Sequence, residues 1–215
     1  MAWNTALTRQ RLQDAATVEF AAYGLAGTTM ERIAARAGIN KERLYNYFGA
    51  KERLFATVLS SELAKVAEAV PVELLAEVEI GEFAGRVFDY HADHPELARL
   101  MQWEALAYGF GPVPDESARA TFYRHKVAGF RRAQRNGTLR DDPDAARLYF
   151  LVLGLAAWWF VVPQIARMLT GVDGQQPGER ALRRAAVVTA ARRLSAAEQP
   201  GPRPALLAAG GPVEK

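Results

Sequence analysis

The sequence feature that most constrains the fold is the run of residues 28–54, TTMERIAARAGINKERLYNYFGAKERL. Two short stretches with helical spacing of apolar residues lie on either side of Gly38, and another helical stretch begins soon after Gly49. Glycine tolerates the left-handed backbone that ends helices, so each glycine indicates a tight turn. The run therefore predicts two short helices joined by a tight turn, which is a helix-turn-helix, with a further helix close behind.

Capping residues predict where these short helices begin. Thr28 followed three residues later by Glu31 forms a capping-box pattern, with the Thr28 hydroxyl as the N-cap. Asn40 is a favoured N-cap for the next helix, whose buried face carries Leu44 and Phe48 four residues apart. The opposite face presents side chains that can contact bases and phosphates. These outward residues are Lys41, Glu42, Arg43, Tyr45 and Asn46.

The location of the charge agrees with a nucleic-acid interface in this part of the chain. Residues 1–53 contain eight Lys and Arg against five Asp and Glu, whereas the other 162 residues contain nineteen of each. The whole formal net charge of +3 therefore falls in the segment that contains the helix-turn-helix. Binding to phosphates requires local cations rather than a high overall charge.

The rest of the sequence predicts an all-α fold. No sustained period-two alternation indicates a strand, and Ala, Leu, Arg and Glu, which favour helices, are abundant. Residues 196–215 are dominated by Pro, Gly and Ala and are predicted to be a disordered tail. The predicted helices outside the helix-turn-helix cover residues 8–23, 51–69, 80–93, 95–108, 115–135, 143–170 and 178–195.

Several classes of protein are disfavoured. The chain has no cysteine, which excludes a disulfide framework and fits a reducing cytoplasm. The N-terminal residues lack the apolar region of a secretory signal, so a cytoplasmic protein is expected. No catalytic or phosphate-loop motif is present, and an enzyme is not expected. The cluster of Asp89, His91, Asp93 and His94 is explained by a helix boundary, so neither a metal nor a cofactor is expected.

One segment requires a test for membrane insertion. Residues 148–166 contain no charged side chain over nineteen positions, close to the length of about 20 residues that spans a bilayer. Gly154, Pro163 and Gln164 interrupt its apolar character, and no polybasic flank would orient it. A buried helix or a seam between subunits is therefore expected, with no membrane partner.

The helix-turn-helix region resembles a known family. The resemblance rests on the spacing and type of Phe20, Tyr23, Gly24, Thr28, Thr29, Met30, Ile33, Ala34, Ala37, Gly38, Ile39, Leu44, Tyr45, Tyr47, Phe48, Lys51, Glu52 and Leu54. In these residues the chain resembles the tetracycline-repressor (TetR) family of bacterial transcriptional regulators. The resemblance implies a three-helix DNA-binding domain at residues 1–53, followed by a larger helical ligand-binding and dimerisation domain at residues 54–195. The second part is matched only by the number and length of its helices.

The resemblance also implies roles for particular side chains in binding DNA. Residues of the third helix would meet the major groove, and Tyr45, Tyr47, Thr29 and Lys51 would contact phosphates. By side-chain chemistry, Arg43 suits guanine, Asn46 suits adenine and Glu42 suits cytosine. A solvated helix face is the alternative for each. The predicted DNA-binding residues are Thr28, Thr29, Lys41, Glu42, Arg43, Tyr45, Asn46, Tyr47 and Lys51.

Aromatic residues with a few polar tips predict a small-molecule pocket in the larger domain. The alternative is that these side chains simply fill the core. Trp158 and Trp159 cannot both face one side of a helix, so one would line the pocket while the other packs in a dimer seam. The predicted ligand-binding residues are Phe88, His91, Gln102, Trp103, Tyr108, Phe122, Tyr123, Trp158 and Trp159.

Together these features predict a homodimeric, ligand-responsive transcriptional repressor with an unknown small apolar or amphipathic effector. Its subunits would pair through residues 144–168 and 178–195, and its partner would be a palindromic double-stranded DNA operator. Three alternatives remain open. One is a helical small-molecule-binding protein or enzyme whose helix-turn-helix does not bind DNA, another is an activator, and the third is a membrane-attached regulator that uses residues 148–166.

Overall fold

The computed structural model describes residues 5–76 and 79–195, and all regular structure in those residues is helical, as the sequence predicts. The predicted tail at residues 196–215 lies outside the described residues. The helices are α1 (Thr5–Gly27), α2 (Met30–Ala37), α3 (Lys41–Phe48), α4 (Lys51–Ala69), α5 (Ile80–Asp93), α6 (Pro95–Tyr108), α7 (Glu116–Arg135), α8 (Ala145–Val161), α9 (Pro163–Thr170) and α10 (Glu179–Ser195), with a short 3-10 helix at Val72–Ala76.

A first hydrophobic cluster, which we call the N-terminal cluster, joins α1 to α4. The apolar stripe of α1 is buried at Leu12, Ala16 and Phe20, and the Phe20 ring packs edge-on against Phe55 of α4 at 5.1 Å. Tyr23, three residues after Phe20, is 46% exposed, and α1 departs from helical geometry at the next residue, Gly24. The cluster therefore holds the helix-turn-helix against the first half of α4.

The caps of α2 and α3 set the angle between these two helices. Gly38 adopts the left-handed conformation at the end of α2, and the Asn40 side chain accepts a hydrogen bond from the Glu42 amide, as expected. The capping-box prediction was wrong by one residue. Thr29, not Thr28, is the N-cap of α2, since its hydroxyl accepts from the Arg32 amide at 3.3 Å.

A second hydrophobic cluster, the C-terminal cluster, is formed mainly by α5, α7, α8 and α10. Phe130 of α7 is fully buried between Phe83 of α5 and Tyr149 of α8, with ring centroids 5.6 Å and 5.1 Å away. The α4 helix begins in the N-terminal cluster and leads to Val70, which belongs to the C-terminal cluster. The predicted domain boundary between residues 53 and 54 therefore falls inside α4.

The predicted helix at residues 143–170 is two helices, and this prediction was wrong. Proline has no amide hydrogen and clashes with the preceding turn, so Pro163 ends α8 and begins α9 instead of continuing the helix. Asp144 caps α8 by accepting hydrogen bonds from the amides of Ala146 and Arg147. In residues 5–76 and 79–195, no single helix has the length and apolar character to cross a membrane. The α8 and α9 helices meet that condition only as a pair bent by 83°.

Candidate nucleic-acid interface and ligand cavity

The α3 helix turns one apolar edge inward and presents its polar edge to the surface. Leu44 and Phe48 are 0% and 4% exposed, which fixes the roll of this eight-residue helix. As a result the predicted contact residues lie together on one face. Lys41, Glu42, Tyr45 and Asn46 are exposed, while Arg43 and Tyr47 are half-buried.

An exposed ion pair links α3 to α2 on this face. The Lys41 ammonium lies 2.5 Å from Glu31. The hydrogen bond lowers the pKa of Glu31 and raises the pKa of Lys41. Since both side chains are in water, the pair adds little stability. The ion pair therefore keeps the Lys41 ammonium at the start of α3, where the charge stays exposed to solvent.

A hydrogen bond joins Thr28, just before α2, to Lys51 at the start of α4. Thr28 is 0% exposed, and its hydroxyl donates to the Glu19 carbonyl at 3.1 Å, so its side chain is not available to a phosphate. Lys51, which is half-buried, donates to the Thr28 carbonyl at 3.0 Å. Thr29 remains exposed beside them. The first turn of α4 is thus tied directly to the start of α2.

A buried carboxylate, that of Glu19, orients α2 on α1. The sequence analysis does not predict this role. Glu19 is 3% exposed and pairs with Arg32 at 2.9 Å and with Arg36 at 2.7 Å. Arg11 adds a hydrogen bond to the Ala37 carbonyl at 2.8 Å. These partners are 13 to 26 residues apart along the chain, so no local spacing pattern reveals them. The charges hold α2, and through it α3, at a defined angle.

Between the two clusters lies an apolar cavity with a volume of about 70 Å³. It is partly open and is bounded by α4 on one side and by α5, α6, α7 and α8 on the others. Its apolar walls leave few groups to orient a ligand, which is the usual construction of a small-molecule site. The lining residues are Leu63, Val66, Ala67, Val70, Phe83, Val87, His91, Leu97, Met101, Phe122, Tyr123, Lys126, Tyr149, Leu153 and Ala157.

Two nitrogen-bearing side chains are buried in the wall of this cavity. His91 is 4% exposed, its Nδ1 has no hydrogen-bond partner, and burial lowers its pKa to about 4. Lys126 is 5% exposed and makes a long hydrogen bond of 3.4 Å to the Ala67 carbonyl. Burial lowers the pKa of Lys126, while the charge of Glu73 acts in the opposite direction. The cavity therefore contains polar groups that the protein itself satisfies poorly.

Three of the nine predicted pocket residues line this cavity: His91, Phe122 and Tyr123. Sequence reasoning missed Lys126, Tyr149 and the whole α4 wall, because a buried lysine and apolar α4 residues carry no local signature. The predicted role in this cavity is not supported for the other six, which are Phe88, Gln102, Trp103, Tyr108, Trp158 and Trp159.

Each of these six side chains has another place in the structure. Phe88 is a core residue that packs against Phe160 at 5.1 Å. Tyr108 is half-buried near the end of α6, and burial raises its pKa. Gln102 and Trp103 line a separate open groove beside Phe160 and Pro163, and Trp158 and Trp159 line a depression between α8 and Leu194 of α10.

Trp103 has a structural role that explains its position. Its indole nitrogen donates to the Ala21 carbonyl at 3.2 Å, and Arg99 donates to the same carbonyl at 2.6 Å. The Trp103 ring also lies against Gly24, where an added Cβ would come within 2.6 Å of it. The α6 helix is therefore fixed to the end of α1, which is the second connection between the body and the helix-turn-helix.

Large apolar side chains are exposed on both α8 and α10. Phe150 and Trp158 of α8 are 76% and 59% exposed, and Leu182 of α10 is 68% exposed. Gly154 lies in the same apolar depression as Phe150 and Trp158, and Leu194 of α10 lines it from the other side. Exposed apolar side chains that cluster in this way often mark an interaction site.

Within residues 5–76 and 79–195, no group of three or more His, Cys, Asp or Glu side chains is arranged to hold a metal ion. Asp89 and Asp93, which stand near His91 in the sequence, instead pair with Arg184 and Arg180 of α10.

The fold and the site together define a class: a DNA-binding transcriptional regulator with a helix-turn-helix and a helical body. Two family models match the chain. Residues 12–58 match the model described as "Bacterial regulatory proteins, tetR family", and residues 79–193 match "Tetracyclin repressor-like, C-terminal domain". The chain belongs to the TetR family of transcriptional regulators, which is not a family of enzymes.

Individual relatives agree with this assignment. The chain is 42% identical to the HTH-type transcriptional repressor SCO4008 of Streptomyces coelicolor over 187 residues, which cover 87% of this chain and 94% of that protein. It is 30% identical to the HTH-type transcriptional repressor NicS of Pseudomonas putida, covering 71% of this chain and 75% of that one. The crystal structure of the putative transcriptional regulator SCO4942 from Streptomyces coelicolor superposes with a TM-score of 0.71 at 34% identity, covering 87% and 98% of the two chains.

Proposed function

We propose that this TetR-family regulator represses transcription as a homodimer on a palindromic operator and is released from DNA by a small molecule bound in the body. The observation that carries the proposal is the position of α4. This helix forms one wall of the cavity through Leu63, Val66 and Ala67. Its first residue, Lys51, donates a hydrogen bond to the Thr28 carbonyl at the start of the helix-turn-helix. Relatives that are named as repressors support the direction of the regulation.

The outer face of α8 and α10 is the surface that a second copy would cover. Its exposed aromatic and aliphatic side chains favour burial, and the small residues between them allow close approach of helices. In a two-fold homodimer the same patch of each subunit packs against its own copy. The predicted seam at residues 144–168 includes the break between α8 and α9. We therefore assign the seam to α8 and α10, with α9 at its edge.

A two-fold dimer would place two copies of α3 in successive major grooves, about 34–36 Å apart. Arg43 and Asn46 are the proposed base contacts. Lys41, Tyr45, Tyr47, Thr29 and Lys51 are the proposed phosphate contacts, and Glu42 lies beside them on the exposed face. Thr28 is left out of this set because its side chain is buried.

A ligand in the cavity would act on DNA binding through α4 and α6. Occupying the small cavity pushes its walls apart, and the α4 wall is continuous with the helix that carries Lys51. The α6 contacts of Trp103 and Arg99 to Ala21 hold the end of α1 while α4 moves. The ligand shifts the equilibrium only to the extent that it binds the released shape more tightly than the DNA-bound shape.

Selection of bound sequences from a random pool of duplex DNA tests this function. The expected product is a palindrome whose half-sites are one helical turn apart, bound by two chains. The Asn46→Ala variant should relax the preference at one base position per half-site, and Lys51→Ala should weaken binding to all sequences and lower the salt dependence. Recovery of no enriched sequence would reject the proposed function.

The seam can be tested separately by sizing chromatography. Trp158→Asp introduces a charge into the proposed interface and should give a monomer with weakened operator binding. The matched control is Phe110→Asp, since Phe110 is another exposed aromatic residue but lies in the loop after α6. A Trp158→Asp protein that remains dimeric would show that the subunits pair elsewhere.

A further inference from the structure

The polar groups of the cavity carry information about the chemistry of its ligand. Lys126 stands in the wall of a cavity that is otherwise apolar, and both neighbours of its ammonium, the Ala67 carbonyl and the Phe122 ring, also line that cavity. The Nζ atom is 3.4 Å from the carbonyl and 5.5 Å from the ring centroid. The charged end of the side chain is therefore directed along the cavity wall and not into solvent.

The described residues provide little compensation for this buried cation. In residues 5–76 and 79–195, no carboxylate lies within 4.0 Å of the Lys126 ammonium. Glu73 is the acidic residue that acts on it from a longer distance, and the Glu73 carboxylate is already bonded to His125 at 3.1 Å. An ammonium has three hydrogens to donate, so one long bond leaves it far from satisfied. Burying such a charge without a partner costs free energy that an anionic ligand would recover.

A second buried group converges on the same space. His91 reaches the cavity from α5, and its Nδ1 has no hydrogen-bond partner among the residues that the structure describes. Its ring stacks on Phe160 at 6.0 Å, which fixes the plane of the imidazole. One side chain with an unpaired ring nitrogen and one with an undercompensated ammonium thus line a common cavity from two helices.

We propose that the cavity binds an amphipathic monocarboxylate, with its head group held by Lys126 and His91 and its hydrocarbon part held by the apolar walls. This inference rests on the proposed function, because it names the class of effector for the same site. A carboxylate carries a single negative charge, which one ammonium neutralises. A phosphate monoester carries a charge of about −1.5 to −2 and would leave part of it unpaired in an apolar cavity.

The geometry also opposes the other classes of head group. A cationic amine would be placed beside Lys126 in a region of low dielectric, where two like charges repel strongly. A neutral alcohol fits sterically but leaves the ammonium without an anion. A charge-assisted hydrogen bond adds about 1.5–3 kcal/mol, which converts to a preference of about tenfold to a hundredfold.

The test compares three probes that differ only in their head group: octanoate, octanol and octylamine. Binding of each to the full-length protein is measured by isothermal titration calorimetry at neutral pH. Octanoate is expected to bind at least about tenfold more tightly than octanol, and octylamine more weakly than either. Octanoate binding that is no tighter than that of octanol, or absent, would overturn the proposal.

The Lys126→Met variant shows whether the preference arises at this residue. Methionine keeps the length and apolar stem of lysine and removes the charge, so the preference for octanoate over octanol should disappear while octanol still binds. The matched control is Arg124→Met, which removes an exposed cation from the same helix and should keep the preference. An unchanged preference in Lys126→Met would overturn the proposal. The thermal unfolding of this variant is recorded alongside, and no loss of stability is expected, because the substitution removes an undercompensated buried charge.

Operator binding separates this inference from the proposed function. If octanoate binds through Lys126 but does not weaken the DNA complex, the ligand class stands and the proposed regulation fails. If another compound releases DNA from the wild type and from Lys126→Met equally, the regulation stands and the ligand class fails. Both results are read from fluorescence anisotropy of the labelled operator.

Discussion

The N-terminal cluster and the cavity of the larger helical domain each contain a buried charge, but the two charges differ in how well they are paired. In the N-terminal cluster, buried Glu19 is paired with both Arg32 and Arg36. In the cavity, the hydrogen bond of buried Lys126 to the described part of the chain is a long one to the Ala67 carbonyl. A buried charge that is fully paired fixes the angle between its helices. A buried charge without a close counter-ion costs free energy, which an oppositely charged group can offset. Contacts within the described residues therefore set the angle of α2 and α3, whereas they leave Lys126 in the cavity with little compensation.

The largest expected effect tests whether the two regions differ in how closely they are packed. Phe55→Ala removes a fully buried ring that packs on Phe20, and it should lower the free energy of unfolding by about 3–5 kcal/mol. Phe122→Ala removes a half-buried ring beside existing empty space and should cost about 1–2 kcal/mol. Urea denaturation measures both. Equal losses would mean that the cavity wall is packed as closely as the N-terminal cluster.

The next prediction concerns the connection between the two regions. Gly24 has φ 68° and ψ −175°, and a Cβ added there would lie 2.6 Å from the Trp103 ring. Gly24→Ala should therefore lower the free energy of unfolding by about 3 kcal/mol, combining backbone strain with the clash. Gly137→Ala is the control, since Gly137 also has a positive φ, of 73°, but open space around it. Its expected cost is about 1 kcal/mol, from backbone strain alone.

The buried His91 should make the stability of the body depend on pH. Its pKa is about 4 in the folded protein and about 6.5 in an unfolded chain, so only the unfolded state binds a proton between these values. Stability is therefore retained above pH 6.5 and lost as the pH falls towards 4, by an amount on the order of 3 kcal/mol. His91→Leu should remove this component. The measurement is the difference in urea midpoint between the two proteins across the range, and parallel curves would contradict the prediction.

The smallest effect is expected at the surface of the helix-turn-helix. Glu31→Gln breaks the exposed pair with Lys41 and should leave the stability unchanged within experimental error, because water screens both charges. It should strengthen DNA binding slightly, since Lys41 no longer has to leave a carboxylate. Operator affinity at two salt concentrations checks this. Weaker binding would indicate that the pair positions Lys41 for DNA.

The two regions also differ in how far the sequence predicts them. The bounds of α4, α5 and α6 agree with the prediction, because Gly49, Pro71 and His94-Pro95 are local signals. The outward face of α3 follows equally well from the four-residue spacing of Leu44 and Phe48. Local patterns of this kind are sufficient for short capped helices.

The errors arise where local signals compete or where contacts are distant in sequence. Thr28 and Thr29 are adjacent and have the same side chain, so only the tertiary bond of Thr28 to Glu19 decides which one caps α2. Pro163 was noted within an apolar run, yet its power to end α8 was underestimated. The cavity brings together residues from α4, α5, α6, α7 and α8, so a search for aromatic residues with polar tips identified His91, Phe122 and Tyr123 but not Lys126.

The central claim is that ligand binding in the body changes the spacing of the two α3 helices. The chain has no cysteine, so Ala35→Cys places a single spin label on the exposed side of α2, next to α3. Pulsed dipolar spectroscopy of the operator-bound dimer should give one narrow distance distribution, consistent with recognition helices about 34–36 Å apart. Octanoate should shift this distribution in the parent protein but not in Lys126→Met. An identical distribution with and without octanoate, in a protein shown by calorimetry to have bound it, would contradict the account.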